Sequence, residues 1–414
     1  MSQKILVVGT FDSKKSEYEY LVSEINRLGF ETLLMDVGTF SDGLRNDCES
    51  VSSGEVLQAA GENVESIRQS NDRGHAMNAM TIGAAKFARE LFEAGKINAV
   101  IGMGGSGGSS VISAAMRSLP LGVPKVLLST MVGENSSEYV GSKDVVLIPS
   151  ITDISGLNRI SRKMIASAAA AVTGMAAAYQ PVTDQAVKSK RVIAVSMFGN
   201  TTDCVNRCRD QLEHGDNEVI VFHATGVGGR TMESLIDDGL IDACLDITTT
   251  EIADEICGGI LSAGPNRLLA AGRKGTPHMV VPGCVDMVNF GSTASIPGKY
   301  RSSDRNFYEW NPSVTLMRTS VEENVQIGKF IASRLNQAKG KVEVLLPLKG
   351  VSILDGDGER FCDREADQAL FDTLTSELST EIRVTEIDCN INDPQFADKA
   401  VEIFGTMLEA PVSN

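Results

Sequence analysis

Short β-branched runs alternate with helical patterns along this chain, and nothing else in it restricts the fold so tightly. Ile5–Val8 reads as a strand, Lys14–Leu28 as an amphipathic helix and Glu31–Met35 as a second strand. A polar stretch over 41–74 precedes a helix near 75–95. A strand at 98–101, a helix at 109–117 ended by Pro120, strands at 124–129 and 145–148 and a long helix over 156–178 follow. Strands that alternate with helices need crossover connections, and these build a parallel, doubly wound sheet. Gln180–Lys190 (QPVTDQAVKSK) is polar and without periodicity, which marks an interdomain linker. After it the pattern restarts with a strand at 191–196, a helix at 202–214 and a strand at 218–222, and strands continue near 242–247, 278–281, 342–346 and 382–387. The expected fold class is therefore α/β: two tandem Rossmann-like domains over 1–180 and 190–414, with mainly parallel sheets and flanking helices. The 414 residues suit two such domains. One segment, 282–313, reads as a long irregular loop, of the kind that is functional or packs at an interface.

Composition narrows the partners. A net charge of −16 disfavours a nucleic-acid backbone or an anionic membrane as main partner, since both need a cationic face. It leaves a nucleotide open, because backbone amides can hold phosphate. The most apolar helical stretch, Ala166–Ala171, is cut short of a membrane span by Arg159, Arg162 and Lys163. Cys204 and Cys208 are the one close cysteine pair, and their spacing puts both thiols on one helix face without a zinc signature. The start of the chain has no secretory pattern. A reduced, cytoplasmic protein is the expectation.

The most informative stretch is Gly102-Met103-Gly104-Gly105-Ser106-Gly107-Gly108-Ser109-Ser110, between a strand and a helix. Glycines there let the backbone approach a ligand, the first amides of the helix point at an anion, and Ser106 and Ser109 add hydroxyls. It contains G-x-G-x-x-G, but the acidic residue a dinucleotide fold wants about twenty positions on is replaced by Leu127-Leu128-Ser129-Thr130, which weakens an NAD(P) oxidoreductase. No lysine follows for a P-loop. Other strand ends converge on the same crevice: Gly9-Thr10-Phe11-Asp12-Ser13-Lys14, then Asp36, then Thr130-Met131. Asp12 suits a metal, a ribose hydroxyl or a helix N-cap; Lys14 suits a phosphate; Asp36 suits a ribose or plain solvation; Glu134 and Asn135 suit metal or solvent. In the second half, His223, Glu251 and Asp286 stand at strand ends as candidates for a metal or acid–base site, and His75, His214 and His278 have no obvious partners.

Eight ordered stretches, GTFDSK (9–14), MGGSGGS (103–109), DISGLNRISR (153–162), FHATGVGGRTME (222–233), LDITTTEIADE (245–255), DMVNFG (286–291), TLMRTS (315–320) and INDPQFAD (391–398), resemble the ATP-binding-domain family of the tomato tobamovirus-resistance protein and its bacterial homologues, an uncharacterised protein family. The resemblance implies two Rossmann-like domains, a homodimer and ATP in the first domain. By motif position it implies contacts from Gly9, Thr10, Asp12, Lys14 and Asp36, from the turn Gly104, Gly105, Ser106, Gly107, Gly108 and Ser109, and from Thr130 and Met131. Mg²⁺ would bridge the phosphates. The physiological reaction is not implied. An alternative is an ATP-dependent enzyme of small-acid or sugar metabolism with its substrate between the domains, which would need His223, Glu233, Glu251, Asp286 and Arg318 to converge. A third is a scaffold regulated by ATP.

Overall fold

The computed structural model describes residues 4–38, 49–70, 72–133, 136–179, 190–214, 216–301 and 304–409. The chain divides into two compact units, Met1–Thr183 and Asp184–Asn414. The stretch read as a linker lies, but for Lys190, outside the described residues.

The first unit holds six strands: β1 (Lys4–Gly9), β2 (Thr32–Asp36), β3 (Ser50–Val51), β4 (Ile97–Gly104), β5 (Lys125–Ser129) and β6 (Val146–Pro149). They form one parallel sheet in the order β3-β2-β1-β4-β5-β6. This is the doubly wound order whose direction reverses between β1 and β4, so a crevice opens there at the carboxyl ends. The strands are near-continuous apolar runs because both faces are covered. Ile5 and Val7 face one core with the helices Lys15–Arg27 and Arg159–Ala178, while Leu6 and Val8 face the other with Arg73–Glu93 and Ser106–Arg117. All four side chains are fully buried.

The second unit holds β7 (Arg191–Met197), β8 (Asn217–His223), β9 (Ala243–Thr248), β10 (His278–Gly283), β11 (Met287–Phe290), β12 (Phe307–Asn311), β13 (Val314–Arg318), β14 (Val342–Pro347) and β15 (Arg383–Ile387). Six of these make a second parallel sheet, β15-β14-β10-β9-β7-β8, which reverses between β7 and β9. The two units therefore share the doubly wound principle and differ in strand order. The segment 282–313, expected to be irregular, contains β11 and β12, which pair with β13 as an antiparallel sheet in the order β11-β13-β12. Runs as short as MVNF and FYEWN, separated by Gly, Pro and polar residues, carry too little periodicity to stand out. Cys204 and Cys208 share the buried face of Thr202–Glu213, as their spacing requires. Among the described residues no helix is long and apolar enough to cross a membrane.

Candidate functional site

At the switch point of the first sheet, β4 runs to Gly104 and the following helix starts at Ser106, three residues before its expected start. Gly105 is the N-cap, and no side chain caps the helix. A Cβ on Gly108 would meet nothing within 4 Å, and one on Gly107 only the end of Met77 at 3.5 Å. These two glycines thus leave the side of the first turn uncrowded. Thr130 stands alongside, its hydroxyl 3.7 Å from where a Cβ on Gly105 would lie. Ser109, expected to offer a hydroxyl to a ligand, is fully buried; its Oγ lies 2.7 Å from Ser129 Oγ and donates to Gly104 O at 3.2 Å. It fastens the turn. Ser106, Thr130 and Met131 are exposed. A cavity of about 510 Å³ is lined by Ser129, Thr130 and Val132 and by 149–153, the last residue of β6 and the four after it. On its lip Ile151 holds φ 67° with 68% of its surface exposed, a strained place for a β-branched residue.

At the ends of β1 and β2 three residues differ from the expectation. Gly9 is required by Tyr18, whose ring would lie 2.0 Å from a Cβ there and whose hydroxyl accepts from Met103 N at 3.0 Å, clamping β1 to β4. Asp36, expected at a ribose, is fully buried, and its Oδ1 accepts from Gly38 N at 2.9 Å and Phe11 N at 3.4 Å. It organises the two loops. Lys14 donates to Ile154 O, which ties the turn to the loop after β6. Asp12 and Thr10 remain accessible; Asp12 accepts from Ser13 N at 2.6 Å and lies 3.0 Å from where a Cβ on Gly38 would sit, so it does not cap the helix. Glu134 and Asn135 lie outside the described residues.

In the second unit the expected cluster separates into two buried networks and an exposed histidine. Arg267, 1% exposed, grips Asp246 bidentately at 2.6 and 2.7 Å, Glu251 at 2.8 Å and Glu233 at 3.3 Å. The other Glu251 oxygen accepts from Gly226 N and Gly229 N. Burial works to raise the Asp246 carboxyl, but Arg267 and His278 outweigh it and hold it well below the usual range. His278, which had no obvious partner, lies 3.4 Å from Asp246. His75 and His214 likewise have theirs, Glu62 and Asp210 O. Arg318 binds Asp367 and Asp355. Asp286 accepts from Ser352 Oγ at 2.8 Å, and burial pushes its carboxyl up to about 6 against the pull of Arg318. His223 is exposed and stacks on Phe198 at 5.6 Å. Glu251 is thus tied into a buried ion-pair network, Asp286 keeps one buried oxygen without a hydrogen-bond partner, and no group of three His, Cys, Asp or Glu able to hold a metal exists among the described residues. Arg267 escaped the sequence reading because it stands in a helix-poor loop without a motif. Its signal was the number of carboxylates at neighbouring strand ends, which need a cation if they are buried.

Asp254 yields a pH prediction. Burial lifts its carboxyl from 3.8 to about 7, although Asn289 N and Leu261 N donate to it. The folded state then binds a proton the unfolded state has lost, so this contribution to stability is full below pH 3.8 and falls as pH rises toward 7. Asp254→Asn should remove the slope. The stability of the native chain relative to the variant should decline between pH 5 and 7 by up to about 1.4 kcal/mol per pH unit in denaturant titrations. A pH-independent difference would contradict it.

The two sheets define a doubly wound α/β protein of two units, with a helix that no side chain caps at the first switch point. Residues 3–181 match the N-terminal domain and 190–408 the C-terminal domain of a family described as Uncharacterised protein family (UPF0261). The chain belongs to that family. A UPF0261 protein of Clostridium tetani is 42% identical over 410 residues, covering 99% of this chain and 100% of the relative. The ToMV resistance protein Tm-1(GCR237) of Solanum lycopersicum is 38% identical over 421 residues, covering 97% of this chain and 55% of that protein. Among solved structures, Acinetobacter baumannii MurG aligns over 98% of this chain and 100% of its own at 10% identity with a TM-score of 0.24, too low to carry any argument.

Proposed function

We propose that the first unit binds ATP, its phosphates on the turn Gly104–Ser109. The supporting observation is a helix N-terminus that no side chain caps, at the switch point of a parallel sheet and bordered by glycines with open space above them. Free amides and the helix dipole favour an anion there without any net positive charge. Thr130 adds a hydroxyl next to the turn, Met131 an apolar contact, and Thr10 and Asp12 stand at the neighbouring strand end. Mg²⁺ would arrive with the nucleotide, held mainly by phosphate oxygens, since this cation needs only one or two carboxylates. The reading includes a homodimer, as the family resemblance implies, and the cytoplasm, as the cysteine usage suggests.

Gly105→Asp tests this directly. Its backbone is extended and a Cβ has only an ordinary contact with Thr130, so Asp fits and caps the helix with its own carboxylate. Stability should hold or rise by a few tenths of a kcal/mol. ATP affinity should fall at least about a hundredfold, the loss of two charge-assisted hydrogen bonds at about 1.5 kcal/mol each. Calorimetric titration with ATP, with and without Mg²⁺, measures both forms. Absence of ATP binding by the native chain, or equal binding by the variant, sinks the reading.

A further inference from the structure

A cavity of about 550 Å³ opens in the second unit at the carboxyl ends of β7 and β8. It is of the size that takes small organic ligands, roughly 300–1,000 Å³. The turn after β7, Phe198–Asn200, forms one side, beside the point where this sheet reverses direction, which is where doubly wound sheets bind ligands. The antiparallel sheet of β11, β12 and β13 forms the opposite side.

The chemistry of the walls is specific. Leu261, Leu316 and Leu354 line the interior, and Ile260, Trp310 and Ile353 form a rim with 59%, 54% and 44% of their surfaces exposed. Three large apolar side chains left in water around one opening mark a surface that gains by being covered. Among the described residues, no Asp, Glu, Lys or Arg lines the cavity. Its polar groups are neutral amides, a hydroxyl and His223.

One of those amides is incomplete. Asn289 is 1% exposed; its Nδ2 donates to Asp254 Oδ1 at 3.2 Å and Thr250 Oγ1 at 3.4 Å, which fixes the orientation of the amide. Its Oδ1 is buried and accepts no hydrogen bond. A buried acceptor without a donor is costly, and a lining residue can have that donor supplied by a ligand.

We propose that the second unit binds, in this cavity, an uncharged aromatic or branched-aliphatic carboxamide, whose apolar body lies on the leucines and the Phe198 ring and whose N–H donates to Asn289 Oδ1. An anion or cation is disfavoured because no side chain there neutralises it. The proposal does not rest on the ATP reading, since every group it uses belongs to the second unit.

Trp310 is the only tryptophan in the chain, so its emission reports the rim directly. The full chain is titrated with benzamide, benzoate and N,N-dimethylbenzamide. Benzamide should change the emission saturably. Benzoate, which is charged, and the dimethyl amide, which lacks the N–H, should each bind about tenfold more weakly, the worth of one hydrogen bond to a buried acceptor. Ile353→Arg and, separately, Ile260→Arg alter exposed positions and should abolish the response while leaving the circular dichroism unchanged. The proposal is overturned if benzamide gives no saturable change, if the three probes bind equally, or if the response survives in either folded variant. Emission of the ligand-free chain that shifts with protein concentration would also overturn it, making the rim an interface between copies.

Discussion

Arg267→Ala is expected to unfold the second unit under conditions where the native chain is stable. Asp246 and Glu251 are fully buried, and the guanidinium reaches both across three of its hydrogen bonds, with His278 beside Asp246. Without it, two carboxylates stay inside an apolar core or take up protons. Breaking a buried pair of this kind costs about 3–5 kcal/mol, and here two partners are orphaned at once. That is a large share of the roughly 5–15 kcal/mol a domain has. The loss also spreads: Glu251 holds the amides of Gly226 and Gly229, and Glu233 those of Leu268 and Ala270, so two loops lose their anchor. Arg267→Lys should recover only part, since an ammonium has no fork to reach Asp246 and Glu251 together. Arg209→Ala, which removes an exposed pair with Asp210, should cost under about 0.5 kcal/mol. Denaturant titrations of the three variants decide the matter. A loss under about 1 kcal/mol for Arg267→Ala would refute the account.

Gly102→Val should destabilise the first unit by about 3 kcal/mol or more, an overpacking cost at the upper end of its range. A Cβ at Gly102 would lie 2.5 Å from Ile112 and 2.6 Å from Val8 O. The second contact is backbone in a strand paired on both sides, which has no room to give. Gly108→Ala, six residues on in the same glycine-rich string, should gain up to about 1 kcal/mol, because the position is helical and open. The contrast separates glycines demanded by packing from glycines that leave room for a ligand. Unfolding free energies of the two variants that agree within about 1 kcal/mol would refute it.

The strands, the glycine turn and the second unit, by contrast, leave marks in the sequence. The apolar run at Ile5–Val8 reads as a doubly covered strand because burial on both faces leaves a local mark, a run without alternation. The turn at 102–110 reads as special because glycine is so seldom spent without reason, and the restart after 190 reveals the second unit by repeating the same local grammar. The family followed from the same material, since eight ordered motifs are local strings. The antiparallel strands β11 and β12 lacked such a mark, and their pairing comes from β13, a partner the short runs do not announce.

Which residue does what within those strings was not legible. Gly102 and Gly108 look alike in sequence and differ only by what stands above them. Asp36 looked like a ribose ligand until the fold closed Phe11 and Gly38 over it. Glu251 and Asp286 stood alike as candidates for a metal or acid–base site, and the fold ties Glu251 to Arg267 while Asp286 meets Ser352 and Arg318 pairs with Asp355 and Asp367. The chain by itself determined the alternation, the two units and the position of the glycine turn, because these depend on propensities and patterns a few residues wide. Only the tertiary structure decided which carboxylates are buried, which glycines have room beside them and where a cavity forms, because burial and pairing are set by atoms tens to hundreds of residues away.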